Sequence, residues 1–176
     1  MSAIRPPERV WDPLVRVFHW SLVSAVLLNQ FVLEEGDPPH RWIGYAAAAL
    51  VGLRLLWGLI GTRHARFSDF WPTPGRVRAH LHAWLRGERP HTPGHNPLGA
   101  LMMLALMALV LLLGLTGWLQ GTDRFWGNEA LQELHEGLAN TLIVLAGLHA
   151  AAAIVMGRIE RTRLVKAMFT GTKEHY

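Results

Sequence analysis

Residues 98–119, LGALMMLALMALVLLLGLTGWL, hold no charged side chain over 22 positions. A helix rises about 1.5 Å per residue, so this run matches the roughly 30 Å hydrocarbon core of a bilayer. Within lipid every backbone amide must be satisfied internally, so the run predicts a membrane-spanning helix. Three further apolar runs accompany it. Residues 14–33 are broken only by Arg16, His19 and small polar groups. Residues 42–61 are broken by Arg54, and residues 134–157 carry two histidines, His135 and His149. The pattern predicts an all-α, integral membrane four-helix bundle forming one domain over residues 1–176. No internal repeat or low-complexity segment interrupts it. MSAIRPPERVWDP precedes the first run with no small-residue cleavage site after it, so the start does not read as a signal peptide.

Charge sets the threading. Arg5, Arg9 and Arg16 precede or enter the first span. The connection between spans two and three carries Arg63, Arg66, Arg76, Arg78, Arg86 and Arg89, and the tail carries Arg158, Arg161, Arg163, Lys166 and Lys173. The other two connections hold Arg41 and Arg124 among Glu34, Glu35, Asp37, Asp123, Glu129 and Glu133. Lys and Arg are retained on the cytoplasmic side, which predicts both termini in the cytoplasm. Topology thus accounts for the surplus of basic residues, 17 against 13 acidic, without a nucleic-acid partner. The absence of cysteine excludes disulfides, cysteine-ligated iron–sulfur clusters and covalently attached c-type haem. In the long basic connection, basic and apolar residues alternate from Val77 to Leu85, as in a short helix lying on anionic lipid. His80, His82, His91 and His95 are expected there as exposed residues. His95, at the mouth of span three, alone retains a claim to a site.

The remaining histidines sort by depth. His19 lies about five residues inside the cytoplasmic end of span one, and His40 lies at the outer entrance of span two. His135 and His149 are fourteen residues apart in span four. That separation is about 21 Å of helix with a residual rotation of only about 40°, so both imidazoles project from one face. His19 and His149 share the inner level; His40 and His135 share the outer level. Two imidazoles on different helices at one depth can clamp a flat metal macrocycle from both sides. With both axial positions filled, such a haem transfers electrons and has no open position for oxygen. Two haem b groups are therefore expected, with iron held by His19 and His149 in one and by His40 and His135 in the other. A di-metal carboxylate site is not supported, because only Glu136 accompanies these histidines, at the outer boundary. Gly44, Gly137 and Gly147 would let helix and ring approach closely, although ordinary helix packing explains them equally well. Arg54 lies fourteen residues after His40, on roughly the same face but at the inner level. A buried arginine needs an anion, and a haem propionate is a carboxylate. Snorkelling to the cytoplasmic interface is the alternative.

The stretches VWDPLVRVFHW, HRWIGY, LRLLWGLIGTRHARFSDF, GHNPLGA and LHEGLANTLIVLAGLHAAA resemble the prokaryotic cytochrome b-561 family of four-helix di-haem membrane cytochromes, over nearly the whole chain. FHW and the paired histidines of span four are the most specific parts. The resemblance implies axial ligands at His19, His40, His135 and His149. It also implies electron exchange between a quinone in the bacterial inner membrane and a surface partner, either a periplasmic c-type cytochrome or the subunits of a hydrogenase-like oxidoreductase. Asn29 and Gln30 could line a quinone pocket or simply bond between helices. Three readings follow: a quinone-linked di-haem electron carrier, a histidine-based proton relay, and a membrane anchor for a larger complex. A homodimer is one admissible assembly.

Overall fold

A computed structural model describes residues 7–88, 92 and 94–174. Arg5, Arg89 and His91 lie outside these residues. The order of elements is β1 (Glu8–Arg9), α1 (Pro13–Phe31), α2 (Pro38–Ile60), a 3₁₀ turn (Arg63–Ala65), α3 (Phe67–Phe70), α4 (Pro74–Leu85), α5 (Pro97–Gln120), α6 (Glu129–Ile159), α7 (Leu164–Thr170) and β2 (Thr172–Lys173). Four helices, α1, α2, α5 and α6, are long and apolar enough to cross a membrane. The four-span, all-α expectation holds. The only strand pairing among the described residues joins β1 antiparallel to β2, with Glu8 opposite Lys173 and Arg9 opposite Thr172.

The spans begin earlier than hydropathy alone suggests, because their starts are written in caps. α1, α2, α4 and α5 each open on a proline, whose fixed φ suits the first helical position and whose missing N–H is not needed there. Asp12 Oδ1 accepts from the Val15 amide at 2.8 Å, Asn96 Oδ1 from Gly99 at 2.7 Å and Asn128 Oδ1 from Leu131 at 2.9 Å. Residues 129–133 therefore extend α6 ahead of its apolar run. His40 becomes the third residue of α2 rather than a residue ahead of it.

The chain resolves into two compact units. One comprises Met1–Arg16, Leu56–Met103 and Leu148–Tyr176; the other comprises Val17–Leu55 and Leu104–Gly147. In the first, Val10, Trp11, Val15, Ala65 and Ala167 form an apolar core, with Trp57 and Met168 against it. Asp12 Oδ2 accepts from Trp57 Nε1 at 3.1 Å and from Thr62 Oγ1 at 2.6 Å, pinning the start of α1 to the end of α2. Gly171, at φ +85°, ends α7 in the left-handed region, and its carbonyl accepts from the Val10 and Trp11 amides. Lys173 is buried and donates to the carbonyls of Thr92 and Gly94 at 3.1 and 3.0 Å. Burial pushes its ammonium below the usual lysine range, while Glu160 and Glu8 pull the other way.

In the second unit α5 approaches α2 closely. A Cβ on Gly114 would lie 2.7 Å from the Ala48 Cβ, so only glycine permits that contact. Asn29 Nδ2 donates to the His40 carbonyl at 3.1 Å and joins α1 to α2.

Candidate functional site

The second unit contains both His40, on α2, and His135, on α6. His135 sits on α6, half-buried, and its Nδ1 lies 2.7 Å from Thr116 Oγ1 of α5. A hydroxyl has one proton, and the Leu112 carbonyl lies 2.9 Å from Oγ1 as one acceptor for it. In the tautomer with the ring proton on Nδ1, Thr116 accepts from His135. That tautomer leaves the lone pair on Nε2, the form a neutral imidazole needs to ligate a metal. A Cβ on Gly117 would stand 3.3 Å from His135 Cε1, so the glycine admits the ring against α5. The His40 Nδ1 is buried without a hydrogen-bond partner among the described residues. Its backbone is held by Asn29.

Asn29 bonds between helices, and Gln30 is exposed. Thr116 was missed by sequence reasoning. The available signal was its being the one hydroxyl in the 22-residue chargeless run.

His19 lies half-buried on α1, edge-on to Trp20 with ring centroids 5.1 Å apart. His149 lies half-buried on α6. His19 belongs to the second unit and His149 to the first. α6 runs from Glu129 to Ile159 and carries both His135 and His149. Arg54 is 2% exposed and is the largest fully buried side chain among the described residues. Around Gly137 and Gly147 a Cβ would meet nothing within 4 Å, so no neighbouring helix packs on either among the described residues. Helix packing therefore does not account for these two glycines.

Two expectations for the basic connection are corrected. His80 is buried, 8% exposed, because α4 turns that residue and Ala83 inward. His95 is half-buried, its ring 4.7 Å from Trp11 and 4.8 Å from Phe70. His82 is exposed as expected.

Among the described residues no three His, Cys, Asp or Glu side chains converge on a common point.

Searches of curated proteins and of solved structures return no match. A family profile described as Prokaryotic cytochrome b561 matches residues 10–171, which spans α1 through α7 and includes all four span histidines. The chain is therefore a member of the prokaryotic cytochrome b561 family, a multi-pass membrane protein of electron transfer.

Proposed function

We propose that this chain carries two b-type haems and passes electrons between a membrane quinone and a redox partner at the outer surface. His40 and His135 hold the outer haem; His19 and His149 hold the inner one. Arg54, buried in α2, pairs with a propionate of the inner haem. Both termini face the cytoplasm of a bacterial inner membrane, following the basic segments. The partner is a periplasmic c-type cytochrome or an oxidoreductase subunit, with a homodimer as one arrangement.

The observation that carries the reading is the Thr116–His135 hydrogen bond. With the hydroxyl proton on the Leu112 carbonyl, it would hold the ring proton on Nδ1 and keep Nε2 available for a metal. When bound, haem would supply one-electron chemistry, and these histidines are the residues that would hold it. The protein's own work is to orient the imidazoles, exclude water and neutralise the propionate.

The test is the absorption spectrum of purified protein, reduced minus oxidised, with haem counted against protein. About two haems per chain are expected, as four axial histidines require. His40→Ala and His135→Ala should each remove the same haem, and His19→Ala and His149→Ala the other. A folded, colourless protein sinks the proposal.

A further inference from the structure

α4, in the first unit, has two unlike sides. His80 and Ala83 are buried, and both share a cavity wall with Pro97, the first residue of α5. That packing holds α4 at the level where a membrane-spanning helix begins. The other side is built from Arg78, Leu81, His82 and Leu85, spaced i, i+3, i+4 and i+7, which puts them on one helix face. All four are exposed, Leu85 to 84% and Leu81 to 44%. Trp71, just before α4, and Trp84, within it, are also exposed, as indoles are at a membrane–water boundary.

The charged groups of this face are uncommitted. Arg76 donates to the carbonyls of Trp71 and Asp69, and Arg86 pairs with Glu88 at 2.8 Å. Neither Arg78 nor His82 makes a side-chain hydrogen bond or ion pair among the described residues. A guanidinium meets phosphate oxygens as a fork, and an imidazole N–H one turn away adds a further donor. Beside them, Leu81 and Leu85 offer apolar surface that gains by leaving water.

The occupant must therefore join a negative group to a hydrocarbon chain. An acidic protein surface would answer the charges and leave Leu85 in water. An uncharged lipid would answer the leucines and leave the positive charge unbalanced. We propose that Arg78, Leu81, His82 and Leu85 dock an anionic phospholipid, its phosphate on Arg78 and His82 and an acyl chain along the two leucines. The site goes beyond the electron-transfer reading and does not depend on it.

The test is native mass spectrometry of the purified full-length protein in detergent, titrated with dioleoyl phosphatidylglycerol or dioleoyl phosphatidylcholine. Phosphatidylglycerol is expected to bind more tightly. Arg78→Gln should weaken it about fivefold, the share of one basic residue at an anionic surface, and narrow the preference between the two lipids. Leu85→Ser should weaken both. Arg124→Gln, an exposed arginine between α5 and α6, should weaken neither. Equal affinity for the two lipids, or a preference that survives Arg78→Gln, overturns the proposal. So does a loss with Arg124→Gln as large as with Arg78→Gln, which would mean that net charge alone is read. Displacement of the lipid by an equal concentration of inorganic phosphate overturns it as well, since a free anion would then suffice.

Discussion

Thr116 shows how much one hydroxyl can decide. It is buried, its proton goes to its own helix, and its lone pair fixes the ring of His135. Thr116→Val keeps the shape and removes the acceptor, leaving Nδ1–H buried without a partner, at a cost of about 1–3 kcal/mol. Outer-shell partners of metal-bound histidines typically carry about 10–100-fold in affinity. A haem-retention titration of Thr116→Val should show a loss of that order in the outer haem alone, and Thr116→Ser should restore it. Equal retention in wild type and Thr116→Val would show the contact to be incidental. This residue was hard to read in sequence because its partner lies nineteen positions away on another helix. The histidines were easier, because an imidazole in an apolar run is costly and its depth follows from counting. His80 was misread for the opposite reason. An alternating basic and apolar stretch looks exposed throughout until tertiary packing turns one side inward.

At the scale of elements, hydropathy found the four spans and the helical character of α4, but not their ends. The ends depend on single capping residues: Asp12, Asn96 and Asn128. The pairing of β1 with β2 had no legible signal, since two residues are too few to show a period. Asp12 does more than cap α1, because its second oxygen accepts from Trp57 and Thr62 at the far end of α2. Asp12→Asn keeps the cap oxygen but presents an amide N–H to the Trp57 N–H, so two donors face each other. The expected result is a loss of about 1–3 kcal/mol, the cost of an unsatisfied buried donor. It should appear as a lower melting temperature in detergent, with the haem spectrum unchanged below the transition. An unaltered melting temperature would mean that the α1–α2 clasp adds nothing to stability.

For the whole molecule, the distribution of Arg and Lys should fix which side each connection faces. A fluorescent protein that matures only in the cytoplasm, fused after Tyr176, should glow. A phosphatase active only after export should be active when inserted after Gly127, between α5 and α6. The reverse pattern would invert the proposed assignment of inner and outer haem. Each level of description then has its own failure mode: a lost tautomer at the residue, a loosened clasp between elements, an inverted chain in the bilayer.

The contact of Val10 and Trp11 with Gly171 has a consequence for biogenesis. The ribosome reaches Gly171 about 160 residues after Val10, which at common synthesis rates means a delay of roughly ten to thirty seconds. Throughout that interval Trp11 lacks its hydrogen-bond acceptor, and Ala167, which completes the apolar core, does not yet exist. The first unit therefore cannot close until residue 171 has been made, after all four spans have been synthesised.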